Sequence, residues 1–518
     1  MNIGYICARA AQEYSNNICV VEGGKRITFR EVNERANRLA NALLDGGLKK
    51  GDRVAVLMGN SWRVVEVDLG IARAGLVRVS LNARLAIKDH VTMLNETEVQ
   101  AFIVGPEYVE HAGEMEPQLA TVKRIILTQG SHAGWATYED LLASASPSDP
   151  AVDINEDDLY QIQYTSGTTG QPRGAMIHHG AWLSSLYFHL AEMETIRETD
   201  ALLHVAPMTH SAGVFALPHF VRGARQVVLK KFDPQVVLET IEKEKITFVV
   251  LVPTMIYMLL AEPNVKKFDL SSLKTILYAA SPMSVEKLKE AIAIFGRVFQ
   301  QGYGLTECIP PVAHFPKEDH VVDGPPEIVK RLGSCGRPAI GVEVRVIGED
   351  GNQVKPGEVG QIVCRSGNVF KGYLNRPEDT AKTLRDGWLY TRDLATVDEY
   401  GYLYIVDRLD DMIISGGFNI FPREVEEVLY AHPSVYEVAV VAVPDEKWGE
   451  AVKAVVALKQ GASATQQELI DFCEERLTRF KKPKTVDFVD ALPKNPNGKI
   501  LRRALREQYW KGRGRLVH

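Results

Sequence analysis

From residue 29 to residue 293, short β-rich apolar runs alternate with helix-like segments, and this alternation restricts the chain to layered α/β architecture with largely parallel sheets. Runs at 53–58, 101–104, 123–127, 201–205, 226–229 and 248–252 read as strands; those at 29–44, 234–244 and 285–293 read as helices. From Gly341 the pattern changes to short strands between Gly, Asn and Asp turns, at 342–347, 360–364 and 401–406. After Arg408-Leu-Asp-Asp411 a shorter unit follows: a strand, a helix at 422–429, strands at 435–443 and 453–458, and a helix at 465–477. The expectation is an α/β fold with a large N-terminal domain, residues 1–408, made of layered α/β subdomains and a β-rich subdomain. A small α+β C-terminal lid domain, residues 409–518, completes it.

A chain of 518 residues with 45% hydrophobic content can bury several large cores. Its formal net charge of −6, from 60 basic and 66 acidic residues, gives no global field for nucleic acid or an anionic membrane. Any basic site must be local. The six cysteines are scattered, with no Cys-x-x-Cys and no histidine cluster at metal-ligand spacing. That pattern suggests neither a disulfide scaffold nor a structural zinc site, and it fits a reducing, cytoplasmic setting. Residues 1–14 have no apolar core of signal-peptide length. The longest nearly apolar stretch, 246–261, falls short of the ~20 residues that span a bilayer, and Pro253 cuts it into a strand and a helix, so no transmembrane segment is expected.

Two distant stretches carry the chemistry. Tyr164-Thr-Ser-Gly-Thr-Thr-Gly-Gln-Pro-Arg-Gly174 crowds hydroxyl pairs, glycines and a basic residue between a strand-like run at 159–164 and a helix-like run at 181–193. A strand-to-helix turn of this kind aims backbone N–H groups and a helix dipole at phosphate oxygens. Turn chemistry alone would explain the glycines but not Arg173. It is not a Walker loop, because neither Gly167 nor Gly174 is followed by Lys-Ser/Thr at the required spacing, which disfavours a P-loop kinase or GTPase. Pro493-Lys-Asn-Pro-Asn-Gly-Lys499 is suited to bring a lysine to such a polyphosphate, although a lysine after Asn-Gly is otherwise an exposed turn residue.

Between them lie Gln301-Gly-Tyr-Gly-Leu-Thr-Glu307, Gly387-Trp-Leu-Tyr-Thr-Arg-Asp393, and Asp407-Arg-Leu-Asp-Asp411 with Ser415-Gly-Gly417. In this order the five motifs resemble the adenylate-forming superfamily of acyl-CoA synthetases, luciferases and peptide-synthetase adenylation domains, across essentially the whole chain. The resemblance implies ATP, Mg²⁺ and coenzyme A as cofactors and a carboxylic acid as substrate. A carboxylate is a poor electrophile, and transfer of AMP from ATP turns its oxygen into a leaving group before a thiol attacks.

By the same resemblance, Thr165, Ser166, Gly167, Thr168, Thr169, Gly170 and Arg173 hold the phosphates. Gln301, Gly302, Tyr303 and Gly304 flank the adenine with Ala280, Ser281 and Pro282, and Thr306 contacts the α-phosphate. Asp393, which read alone is a turn or helix cap, accepts hydrogen bonds from the ribose hydroxyls with Arg408 nearby. Glu307 is the carboxylate for Mg²⁺, an ion that prefers oxygen ligands beside phosphate and water. The Gly302-Tyr-Gly304 stretch before it reads as turn. Lys499 holds the substrate carboxylate and the bridging phosphate oxygen in line. Asp410 matches the hinge, while Ser415, Gly416 and Gly417 match the loop that lets the pantetheine arm pass. The lid then rotates after adenylation, exchanging Lys499 for that loop, and one pocket serves two reactions. His210 matches a residue of the acyl pocket, although a lone His is more often structural. The basic run at 476–484 reads equally as a contact for the 3′-phosphate side of CoA and as a solvated helix end.

Two arginines depart from the family pattern: Arg173, where Lys is usual, and Arg392, where Gly is usual before the ribose aspartate. Arg keeps the charge but is not interchangeable with a point-charge Lys. Tyr278-Ala-Ala-Ser-Pro282 replaces a more glycine-rich stretch and narrows that wall. The pocket set His210, Gly213, Ala279, Gly304 and residues 308–311 is small and apolar, favouring a hydrophobic acid, fatty or aromatic. Thr209-His-Ser-Ala212 lacks the Asp that would pair with an amino-acid amine. The expectation is an AMP-forming acid–CoA ligase. The alternatives are a stand-alone adenylation enzyme loading a carrier protein, and an adenylate-binding homologue slowed by the two arginines. A homodimer is compatible with the sequence without being specified by it.

Overall fold

The computed structural model describes residues 1–83, 85–165, 172–209, 211–281, 283–494 and 500–511. Two large sheets dominate it. In the nine-stranded sheet, Ile18–Glu22, Arg225–Val228, Ala201–His204, Phe248–Leu251, Thr275–Ala279 and Phe299–Leu305 run parallel to their neighbours, and antiparallel strands close both edges. In the eight-stranded sheet, Arg53–Leu57 lies between Val77–Ser80 and Ala101–Val104, with Leu159–Thr165 beyond Val77–Ser80, all parallel.

Strands such as Ala101–Val104 and Phe248–Leu251 are buried at every position, which is why they read as unbroken apolar runs. One core joins a face of each sheet: Val54, Val56 and Ala101 from one meet Leu202, Val250 and Leu277 from the other through intervening helices. Helix Phe29–Asp45 is among them. Thr28 and Glu31 form its capping box, and Phe29, Val32, Ala36, Leu39 and Leu43 are buried at helical spacing along one stripe.

A third sheet, wholly antiparallel, contains Val342–Ile347, Gly360–Ser366, Trp388–Val397 and Leu403–Arg408. The chain leaves it at Arg408 and enters a separate sheet at Ile413–Ser415. That last sheet, with Val435–Asp445, Gly449–Leu458 and helices Pro422–Tyr430 and Gln466–Glu474, has its own core around Val425, Val440 and Leu469. The architecture is the expected α/β one, a large N-terminal domain of sheets and helices with a small C-terminal domain. Among the described residues no helix is long and apolar enough to cross a membrane.

Two local expectations are corrected. The glycine-rich stretch does not join a strand to a helix: Leu159–Thr165 and Arg173–His178 form an antiparallel pair with Thr165 opposite Arg173, so it joins two strands. Helix His179–Glu192 starts at the far end of the second strand, about 17 Å away at ~3.3 Å per residue, too far for its dipole to act at the loop. Gly302-Tyr-Gly304 is not a turn either. It belongs to strand Phe299–Leu305, whose ladder with Cys308–Phe315 satisfies its backbone, and the reversal falls on Thr306-Glu307.

Candidate active site

The reversal places Thr306 and Glu307 between Leu305 and Cys308, which face each other across the hairpin. Glu307 is held from two sides: the Tyr373 hydroxyl donates to Oε1 at 2.6 Å, and the Phe370 amide donates to the Glu307 carbonyl at 2.9 Å. Burial and the Glu307 charge push the Tyr373 phenol well up, so it stays a donor. Arg173 covers the other side of this tyrosine, its guanidinium 4.4 Å from the ring centre and Nη1 3.8 Å from Asp379. The chemistry of this donor set fits Mg²⁺: Glu307 has a second oxygen that the Tyr373 bond leaves available, and one carboxylate beside phosphate and water is a usual complement. Among the described residues no cluster of three His, Cys, Asp or Glu forms an all-protein metal cage.

Asp393 sits in strand Trp388–Val397 opposite Arg408. It is 6% exposed, accepts from the Tyr303 hydroxyl at 2.6 Å and from Arg408 Nε at 3.0 Å, and so meets the demand of a buried carboxylate for partners. Around it opens a cavity of about 230 Å³, lined on one side by Ala280, Ser281, Gln301, Gly302 and Gly304 and on the other by Arg423, Glu426, Ile500 and Arg502 of the C-terminal domain. Arg502 ties that domain to the strand that ends at Arg408, with Nε 2.9 Å from Glu426 Oε1 and Nη1 3.5 Å from Asp407. Burial pushes the Asp407 carboxyl up to about 6, with Arg502 pulling the other way.

A second cavity, of about 290 Å³, lies in the central core between the two large sheets. Gly213, Ala279, Leu305, Thr306, Ile309, Pro310 and Pro311 line it, and it shares Ala280, Gly302 and Gly304 with the first. A Cβ at Gly304 would stand 2.7 Å from Pro310 Cγ and 2.9 Å from its Cα, so no side chain fits at this shared wall.

Two of the family departures fall on left-handed backbone, Ala280 at φ +71° and Arg392 at φ +63°, where glycine is favoured. Arg392 turns this to use: its guanidinium grips the Asp410 carboxylate, with Nε 3.1 Å from Oδ2. We expect Arg392→Gly to remove about 1 kcal/mol of backbone strain and an ion pair worth up to about 1 kcal/mol at this exposure. Its urea-unfolding midpoint then stays near that of the parent. Thioester formation from supplied acyl-adenylate should quicken up to about fivefold, since 1 kcal/mol is that factor; an unchanged rate in stopped-flow would show that the pair does not slow that step.

The structure thus gathers Thr306, Tyr303, Asp393, Arg408, Ala280, Ser281, Gln301, Gly302 and Gly304 around two joined cavities. Thr165 and Arg173 face each other across the strand pair that brackets the glycine-rich loop. Ser415, Gly416 and Gly417 line neither cavity; Gly416 and Gly417, at φ +59° and +83°, make the two-residue turn between Ile413–Ser415 and Phe418–Ile420. Ser166, Gly167, Thr168, Thr169, Gly170, His210, Pro282 and Lys499 lie outside the described residues. Sequence reasoning missed Tyr373 and the roles of Asp407 and Arg502; Asp407 opened a motif and Arg502 stood just beyond one, whereas Tyr373 carried no signal.

Residues 7–374 match the family model described as AMP-binding enzyme, and residues 424–499 match the AMP-binding enzyme C-terminal domain. A feruloyl-CoA synthase of an Amycolatopsis species is 38% identical over 97% of this chain and 98% of its own length. A medium/long-chain-fatty-acid–CoA ligase of Mycobacterium tuberculosis is 37% identical over 99% of this chain and 91% of its own. The ATP-bound structure of MatB from Rhodopseudomonas palustris superposes with a TM-score of 0.88 at 31% identity, covering 98% of this chain and 99% of that one. With relatives matching from end to end and a family model spanning most of its length, the chain belongs to the AMP-binding enzyme family and is an acid–thiol ligase.

Proposed function

We propose that this ligase joins a hydrophobic carboxylic acid to coenzyme A through an acyl-adenylate, with release of pyrophosphate and AMP. The observation that carries the reading is the pair of cavities meeting at Ala280, Gly302 and Gly304: one, largely apolar, suits an acid, and the other, polar around Asp393, suits a nucleotide. An acid seated in the first would present its carboxylate at the α-phosphate of ATP held in the second. A carboxylate oxygen attacks that phosphorus, and the bond to pyrophosphate breaks.

In this reading Asp393, oriented by Tyr303 and Arg408, accepts the ribose hydroxyls, and Thr306 donates to the α-phosphate. Residues 165–170 and Arg173 hold the β- and γ-phosphates. Mg²⁺, when bound, neutralises phosphate charge beside Glu307, and Tyr373 fixes the direction of that carboxylate. Lys499 aligns carboxylate and phosphate, and Ile500, the next residue, lines the nucleotide cavity. The boundary we propose lies between residues 408 and 409, with Asp410 the hinge. Rotation there would carry Ser415, Gly416 and Gly417 to the site, where the thiol of CoA attacks the acyl carbonyl and AMP leaves.

With acid and ATP but no CoA, we expect a burst of one pyrophosphate per enzyme followed by near silence, because the adenylate stays bound; adding CoA should start turnover. Rapid-quench measurement checks this. Steady pyrophosphate release without CoA, or release of ADP and phosphate, would contradict it.

A further inference from the structure

The acid cavity has a polar end. On the eight-stranded sheet, Arg78 and Ser80 stand in register with Gln161 and Gln163, and on the other side with Val54 and Val56. Residues in register share a face, so four polar side chains project into the central core, where Val54, Val56, Ala101 and Ile103 on the same face are apolar. All four are at most 7% exposed. Helix Trp62–Arg73 supplies Asp68 across from them, with its Oδ1 3.0 Å from Arg78 Nε. Burying such groups costs free energy unless they are paired or have a partner to receive.

The glutamines are paired: Gln161 Nε2 donates to Gln163 Oε1 at 2.8 Å, and Trp182 Nε1 donates to Gln161 Oε1 at 3.1 Å. The ion pair is closed on one side only: Arg78 Nε stands 3.0 Å from Asp68 Oδ1, but Nη2 of Arg78, a residue 3% exposed, has no acceptor among the described residues. Both residues line the acid cavity, and the open quarter of the Asp68 side chain, 24%, faces it. Burial pushes the Asp68 carboxyl up to about 6, with Arg78 pulling the other way.

We propose that the acid carries a hydroxyl at its far end, received by Asp68 and Arg78. A hydroxyl is at once donor and acceptor, so one oxygen can accept from Arg78 and donate to Asp68. A methyl terminus would leave Arg78 Nη2 unmet, a carboxylate would meet Asp68, and an ammonium would meet Arg78. An arylpropenoic acid with a para hydroxyl and a medium chain with a terminal one are the two simplest acids of this kind. This inference rests on the acid–CoA ligase reading, and it concerns which acid.

The test is calorimetric binding of two matched pairs, 4-hydroxycinnamate with cinnamate and 8-hydroxyoctanoate with octanoate, to the whole chain, alongside product formation with ATP and CoA. At least one hydroxylated acid should bind about 10- to 100-fold tighter than its deoxy partner, the range of a hydrogen bond to a charged group. The double variant Asp68→Leu/Arg78→Met should reverse the ratio; swapping a buried ion pair for apolar side chains of similar size is commonly neutral for stability. If that variant fails to fold, the wild-type ratios decide alone. Equal or weaker binding of the hydroxylated acid in both pairs, or no binding of any of the four, overturns the inference. Preferential binding without any acyl-CoA keeps it and overturns the ligase reading instead.

Discussion

Lys499→Ala should lower the rate of acyl-adenylate formation by about 10²- to 10³-fold, the loss seen when a preorganised charge-stabilising group is removed. Thioester formation from supplied acyl-adenylate and CoA should stay within a few-fold of the parent. The asymmetry follows from the proposed alternation: in the adenylating arrangement Lys499 would neutralise and align carboxylate and phosphate, and in the thioester-forming one the lid would have carried it away. The described flanks support the first arrangement, since Ile500 and Arg502 border the nucleotide cavity. Single-turnover measurement of each half-reaction checks this, and equal loss in both would count against a moving lysine.

Asp393→Ala should raise KM for ATP by about 30- to 100-fold, with a smaller effect on the half-reaction that starts from supplied adenylate at saturation. The variant removes an acceptor whose hydrogen bonds to charged and hydroxyl groups are worth about 1.5–3 kcal/mol. It also leaves the Tyr303 hydroxyl, now 2.6 Å from Asp393, without that partner in a buried site. Asp393→Asn keeps the shape and drops the charge, so it should fall between the two. Pyrophosphate release against ATP concentration gives the values; an unchanged KM in both variants would remove the ribose role.

The layered fold was legible because parallel strands buried on both faces leave unbroken apolar runs, as at Ala101–Val104 and Phe248–Leu251. Helix Pro234–Glu244 was legible as a helix-like run between strands, and the structure starts it with Asp233 as cap and Pro234 in the first turn. The strand Arg173–His178 was not. Glycines and Pro172 just before it, and a strong helical run just after, hid a short stretch whose hydrogen bonds come from Leu159–Thr165 rather than from its own neighbours.

The site divided along similar lines. Asp393 and Arg408 lay in recognisable motifs, and the structure pairs them across one ladder. Tyr373 acts through Glu307, a residue far away in sequence, so only tertiary packing reveals it. Arg78 and Ser80 alternate with Val77 and Val79 as a half-exposed strand would, yet all four are buried. Only the fold shows that the polar half faces the central core instead of water.

The most direct measurement is mass spectrometry of products after incubating the pure protein with ATP, Mg²⁺, CoA and the matched acids together with plain aliphatic and aromatic ones. An acyl-CoA formed with one AMP per thioester is the expected result. Acyl-adenylate that accumulates without acyl-CoA would move the acceptor from CoA to a carrier protein, and ADP with phosphate in place of AMP would contradict adenylation itself.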